Sequence, residues 1–382
     1  MPVHMNVSPI LLRVLRILSM KIFGSSSLVF ATCFSFFFMI LLAVIELNVF
    51  SDSFRTQSVS LARGHEGFSR TLPTFDVSPN RTAKFRHASL SETGNEAEKL
   101  VGTEWSVQNY VDVFSSSPNC AVQPYLLILV TSAPENKKRR QAIRNTWARY
   151  RDRNILNETH FKTVFLIGRT FPALRTLLES ESEKHKDILF GDYVDSYRNL
   201  TLKVQHGMMW AAESCQSRYL LKTDDDCFVN TRVMVEFLEK YNHQTTNLYA
   251  GHKLKSRDVL RDPHSKWYVS PSDYQKDLFP PYASGTGYLL SYDVVQRVVS
   301  RSPFHHPFPV EDAYMGVLAE DLGVPLLDTT RFALFSTKWT MCNYLYFFVV
   351  HDLDPEQQYL CLRYADESAK ECRSSEELQK WV

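Results

Sequence analysis

The chain has 382 residues, room for one large domain or two small ones with appendages. Lys and Arg number 43 against 42 Asp and Glu, so the chain as a whole carries no electrostatic signature of nucleic-acid binding. An apolar share of 44% is that of an ordinary globular protein.

The N-terminus departs from that average. From Leu28 to Ile45 no residue is charged, and the uncharged run reaches back to Gly24. Such a run is long enough to cross a bilayer. Arg13, Arg16 and Lys21 precede it without an acid, which keeps the short N-terminus in the cytosol. No small-x-small cleavage site follows before Glu46, which argues against a removed signal peptide. The expectation is a cytosolic tail over 1–23, a signal-anchor over 24–50 and a lumenal remainder. Residues 51–118 are rich in Ser, Thr, Asn, Arg and Glu with no sustained period, the pattern of a flexible stem. A single globular domain then occupies 119–382.

Sequons at Asn80, Asn157 and Asn199 agree with a secretory route. Outside the apolar run six cysteines remain: Cys120, Cys215, Cys227, Cys342, Cys361 and Cys372. They permit up to three disulfides in an oxidising compartment, with connectivity open.

The domain opens with Tyr125 to Thr131, a continuous apolar run typical of a strand buried on both faces. A helix over Lys137 to Arg151 follows, with Arg139, Arg140 and Arg144 forming a basic face. That face suits an anion such as a diphosphate, or is a merely solvated helix surface. Thr163 to Ile167 reads as a second strand, Phe171 to Lys186 as a helix and Asp187 to Tyr193 as a third strand. Another helix over Leu200 to Cys215 leads into the strand Tyr219-Leu-Leu-Lys-Thr-Asp-Asp-Asp. Asn230 is placed to cap the next helix. Strand-helix alternation of this kind predicts an α/β doubly wound sheet, with ligands at the carboxyl ends of its strands.

If the strand continues through the triplet, Asp224 and Asp226 share one side and Asp225 the other. Like charges facing one point need a cation between them, and hard oxygen ligands suit Mg²⁺ or Mn²⁺. The competing reading is a solvated acidic turn. A calcium loop fits poorly, since its sixth and twelfth positions would be Val229 and Val235. No Gly-rich phosphate cradle occurs, so a bound nucleotide would rest on metal and basic side chains.

Farther on, Trp267-Tyr-Val-Ser270 and Phe279 to Ser291 mix rings, glycines and hydroxyls, a surface suited to sugars or an ordinary Pro-Gly turn. Glu311 and Asp312 stand at the start of a helix, where acids often serve only as caps. A late strand, Tyr346 to Val350, ends in His351, within possible reach of a metal.

Together these segments resemble the β1,3-glycosyltransferases of glycosyltransferase family 31. The resemblance lies in Arg139-Arg-Gln-Ala-Ile-Arg-Asn-Thr-Trp147, Phe165-Leu-Ile-Gly168, Asp195 to Lys203, Lys222 to Asn230, Pro280 to Tyr288, Glu311 to Gly316 and Val350-His351, in order. It implies a type-A (GT-A) nucleotide-sugar transferase fold in a Golgi membrane protein with its catalytic domain in the lumen. It further implies a UDP-sugar donor, with UDP-galactose favoured, and a Mn²⁺ cofactor. By that resemblance Asp226 and His351 hold the metal, and Asp224, Asp225, Arg140 and Arg144 lie in the donor region. Asp312 is the catalytic base, and Tyr282, Ser284, Gly285 and Glu311 face a glycan acceptor on glycolipid or glycoprotein. Ala313 and Cys227 depart from the residues usual there. Transfer of N-acetylglucosamine, a non-catalytic lumenal sugar-binding protein and a metal-dependent hydrolase are the alternatives.

Overall fold

A computed structural model describes residues 118–149, 160–336, 340–373 and 375–381. The expected tail and anchor, the stem up to residue 117, and the sequons at Asn80 and Asn157 lie outside them. Among the described residues no helix is long and apolar enough to cross a membrane.

The first strand, β1 (Leu126–Thr131), is buried along its whole length. Successive strand side chains point to opposite faces, and both faces here are covered. Leu126, Ile128 and Val130 enter one hydrophobic core, while Leu127 and Leu129 enter a second on the other side. The helix α1 (Lys137–Asn145) is shorter than expected, because the Thr146 hydroxyl donates back to the Ala142 carbonyl at 2.7 Å and the chain leaves the helix there. Then come β2 (Phe161–Arg169), α2 (Pro172–His185), β3 (Ile188–Val194), α3 (Leu200–Ser214) and β4 (Tyr219–Asp224). These strands lie parallel in the order β3-β2-β1-β4, as strand-helix alternation predicts.

The second half breaks the parallel pattern. Beyond β4 the sheet continues with β7 (Ala283–Ser291), then β6 (Tyr249–Lys253) and β8 (Leu326–Asp328). β7 runs antiparallel to β4, pairing Thr223 with Gly287, so its start at Ala283 to Gly285 projects past the carboxyl end of β4. The helix α6 (Glu311–Asp321) packs beside that projection.

A small second sheet joins β5 (Phe228–Val229), β10 (Val349–Val350) and β9 (Phe332–Ala333). The late strand is therefore two residues long, and it delivers His351 to the start of β5, beside the acidic triplet. α4 (Thr231–Lys240) follows β5, with the Asn230 side chain accepting from the Val233 N–H. α5 (Tyr292–Arg301) follows β7, and α7 (Pro355–Glu371) opens with a reciprocal Asp354–Gln357 capping box.

Two disulfides, Cys120–Cys215 and Cys342–Cys372, close loops of the domain, and Cys227 and Cys361 are buried free thiols. Arg331 is wholly buried and, among the described residues, has no carboxylate partner. Its guanidinium lies 4.2 Å over Phe237 and 4.3 Å over Tyr346, and donates to the carbonyls of Tyr346, Leu378 and Lys380. Burial lowers its pKa to about 10. This one side chain fastens the C-terminal segment to the small sheet.

Trp147 leaves the end of α1 and points inward. Its indole N–H is shared between the Cys227 carbonyl at 3.1 Å and Gln358 Oε1 at 2.9 Å, and Gln358 in turn donates to the Asp225 carbonyl. Replacing Trp147 by Phe strips a donor from two buried acceptors, which costs about 1–3 kcal/mol. Denaturant unfolding of Trp147→Phe should show that loss; an unchanged midpoint would contradict it.

Candidate active site

The acidic triplet forms a turn. β4 ends at Asp224, whose carbonyl accepts from the Cys227 N–H at 3.3 Å. Strand alternation therefore stops before Asp225, and the expected pairing of Asp224 with Asp226 is replaced. Asp225 and Asp226 share one cation instead, the Arg139 guanidinium, whose Nη1 lies 3.0 Å from Asp225 and 3.1 Å from Asp226. Asn136 donates a further 2.9 Å bond to the second Asp225 oxygen.

Asp224 turns the other way, toward Lys222. The Lys222 side chain is fully buried, and its ammonium donates to Asp224 at 2.8 Å and to the Gly285 carbonyl at 2.6 Å. A third neighbour, Glu311 Oε2, stands at 3.4 Å. Burial opposes the charge on Lys222, but Asp224 and Glu311 outweigh it and hold its pKa above the usual lysine range. The far Glu311 oxygen accepts from the Tyr288 hydroxyl at 2.5 Å. Thr131 of β1 also donates to Asp224, which fixes that carboxylate between neighbouring strand ends.

Asp312 is the most accessible acid of this group after Asp224 and Asp226. One of its oxygens accepts from the Gly285 N–H and the other from the Ala313 N–H, both at 2.9 Å. A Cβ at position 285 would stand 3.3 Å from Asp312 Oδ2, so glycine lets the strand approach the carboxylate. Burial raises the Asp312 pKa, against the lowering effects of Lys222 and the two N–H donors. A carboxylate aimed by two backbone donors and kept more basic than usual is equipped to take a proton.

On the opposite side of the triplet His351 presents Nε2 at 3.6 Å from Asp226 Oδ1. Its Nδ1 lies 2.9 Å from the Leu334 carbonyl, which assigns the ring proton to Nδ1 and leaves the Nε2 lone pair facing Asp226. Carboxylate plus imidazole is a donor set for a divalent cation that takes its remaining ligands from water and phosphate.

The galactosyltransferase family model matches residues 138–330, just over half of the chain. The chain belongs to the galactosyltransferase family. Beta-1,3-galactosyltransferase 1 of Homo sapiens is 34% identical over 238 residues, covering 62% of this chain and 72% of that protein. Beta-1,3-galactosyltransferase 5 of Pan paniscus is 35% identical over 237 residues, covering 61% and 77%. Among solved structures, a mannosyltransferase from Pyrobaculum calidifontis in complex with GDP-mannose and Mn²⁺ has a TM-score of 0.33 at 12% identity, over 55% of this chain and 56% of that one. The family assignment does not rest on that structural likeness.

Within this galactosyltransferase domain the basic helix is divided differently from expectation. Arg140 is wholly buried, with all five donors taken by Glu181, Ser132 and the carbonyls of Ala133 and Pro134. Arg144 is held by Glu181 and bidentately by Asp187. Neither is free to meet a donor diphosphate; Arg140 braces the loop after β1, and Arg144 ties α1 to α2 and to Asp187 before β3. Arg139 faces the site in their place. Adjacent helical positions point about 100° apart, and the i, i+4 pair Arg140–Arg144 lies with the buried Ile143 on the inward face.

Two further corrections concern the acceptor side. Glu311, with a side chain 3% exposed, is spent on Lys222 and Tyr288 and positions Asp312 from behind rather than meeting a sugar. Ser284 is likewise buried. Tyr282, as buried as Ser284, and Gly285 border Asp312. Lys222 itself escaped notice as a site residue, since nothing in its sequence context announces burial of an ammonium. Asn199 lies beside β3 with its amide donating to the Val194 carbonyl.

Removing the ammonium leaves buried carboxylates unpaired, which costs about 3–5 kcal/mol. Lys222→Met should lose that much in urea unfolding, whereas Lys240→Met, at an exposed i, i+4 pair with Glu236, should lose almost nothing. Equal stability of both proteins would refute the role of Lys222.

Proposed function

We propose that this galactosyltransferase is an inverting β1,3-galactosyltransferase of the GT-A type that moves galactose from UDP-galactose to the 3-hydroxyl of a glycan acceptor. The observation that carries the reading is the separation of two acidic groups across Lys222. Asp225 and Asp226 lie with Arg139 and His351 on one side, and Asp312 lies alone on the other. The names of the relatives supply the sugar and the linkage.

In this reading Asp226 and His351 hold Mn²⁺, while Asp224, Asp225 and Arg139 line the donor side. Bound there, Mn²⁺ supplies charge neutralisation for the departing diphosphate. Arg139 stands ready to turn from the carboxylates to phosphate oxygens, with which guanidinium geometry is equally compatible. Asp312 accepts the proton of the attacking hydroxyl as the new glycosidic bond forms on the face opposite UDP. Lys222 favours the ionised form of Asp312, against the burial that raises its pKa.

The same proposal places the domain in the Golgi lumen behind the anchor and stem over residues 1–118. Two disulfides within the domain support an oxidising compartment.

Two measurements follow. Full-length protein incubated with UDP-galactose, Mn²⁺ and an array of glycan acceptors should form β1,3-galactosides, and Asp312→Asn should reduce kcat by about 10²–10⁴-fold while UDP-galactose binding persists. Asp226→Ala should lose metal-dependent nucleotide binding. Retained turnover in Asp312→Asn would remove the base assignment.

The pH profile gives an independent check. The base must be ionised, and its pKa is raised, so kcat/KM should fall on acidification through a pH above the ordinary carboxylate value of about 4. An acid limb at or below that value would contradict the environment described for Asp312.

A further inference from the structure

The face beside Asp312 holds a cation that the proposed reaction does not use. After β3 the chain makes a single turn, Tyr197–Asn199, fixed at both ends. Asp195 accepts from the Gly168 N–H at 2.7 Å and from Lys203 at 2.9 Å, and Asn199 closes onto the Val194 carbonyl. Tyr197 is thereby aimed toward the site, where the charges of Asp312 and Asp224 reach its phenol.

Opposite it lies the segment between β6 and β7, which contains Trp267. That segment has little regular structure but is stapled by Arg261, whose guanidinium donates to the carbonyls of Val269, Tyr274 and Lys276. The Trp267 indole meets the Tyr197 phenol, and Lys266 Nζ sits 4.3 Å from the centre of the Tyr197 ring and 5.8 Å from that of Trp267.

Among the described residues Lys266 has no carboxylate within ion-pair distance. Three of the four acids of its own segment are engaged elsewhere, Asp258 with Ser256, Asp262 with the His264 N–H and Asp273 with His306, and the fourth, Asp277, forms no ion pair with Lys266. A lysine normally loses much rotamer freedom when it grips an anion. Two rings that already seat the ammonium reduce that loss, which favours binding. The cation is exposed and prepositioned, on a ring whose phenol feels the charges of Asp312 and Asp224.

We propose that Lys266, seated on Tyr197 and Trp267, recognises an anionic group of the acceptor, a carboxylate or a sulfate on or next to the sugar whose hydroxyl Asp312 deprotonates. This rests on the acceptor side assigned above, and it adds the chemical class of the acceptor. Neutral sugars would still stack and hydrogen-bond there, but without the charge contact.

Binding to the full-length protein tests this without turnover. The probes are methyl β-N-acetylglucosaminide, its 6-sulfate and methyl β-glucuronide, followed by saturation-transfer NMR. The expected result is that at least one anionic sugar binds about three- to tenfold tighter than the neutral one, the range for a single exposed charge contact. Lys266→Met, which keeps an apolar stem over the rings, should erase that preference and leave neutral binding unchanged. Which anion is preferred separates a sulfated acceptor from a uronic one. Equal or undetectable binding of all three by the unmodified protein, or a preference that survives Lys266→Met, would overturn the inference. Failure of galactosyl transfer alongside a Lys266-dependent preference would instead count against the proposed reaction alone.

Discussion

A buried ammonium at Lys222 is the constraint around which this domain is arranged. It reaches the end of β4, the projecting start of β7 and the first turn of α6 at once, through Asp224, the Gly285 carbonyl and Glu311. A charge taken out of water is costly unless its partners are close and well placed. Here the partners come from three elements far apart in sequence, so the fold must be complete before the charge is tolerated. The same geometry then sets Asp312, since Gly285 offers its carbonyl to Lys222 and its N–H to Asp312.

That arrangement explains how acids gathered at one sheet end can do different work. Asp225 and Asp226 share a guanidinium and Asp226 also faces an imidazole, while burial raises the Asp225 pKa against the lowering pull of Arg139 and Asn136. Asp312 has only backbone donors and a distant ammonium, and burial makes it more basic than an ordinary carboxylate. One set of acids is thereby suited to a departing diphosphate and the other to an incoming hydroxyl. The back of the triplet turn is held independently, by Trp147 and Gln358, so the backbone that carries Asp225 and Cys227 is fixed from behind.

Much of this was legible in the sequence, for identifiable reasons. The apolar runs of β1 and β4 read as strands buried on both faces, and the carboxyl end of β4 does carry the acidic triplet. His351 at the end of a short late strand was likewise readable. Strand periodicity misled at the triplet, because a tight turn from Asp224 to Cys227 ends the alternation at Asp224, before Asp225 is placed. The basic helix misled because composition reports three arginines without saying which face packs; burial of Arg140 against Glu181 depends on a helix some forty residues away. Glu311 read as an acceptor contact and proved to be a partner of Lys222, and no local signal marks either end of that pair. The C-terminal segment carries no motif at all, yet Gln358 and the carbonyls held by Arg331 make it part of the structure.

The central claim is that one base and one leaving-group site act on opposite faces of the donor sugar, with no protein carboxylate attacking in between. The most direct measurement is proton NMR of the galactoside formed by full-length protein from UDP-galactose, observed as it accumulates. The account predicts a product with the β anomeric configuration from the α-linked donor, the outcome of a single displacement. An α-linked product would contradict it, because attack on the face opposite the leaving group must invert the anomeric centre.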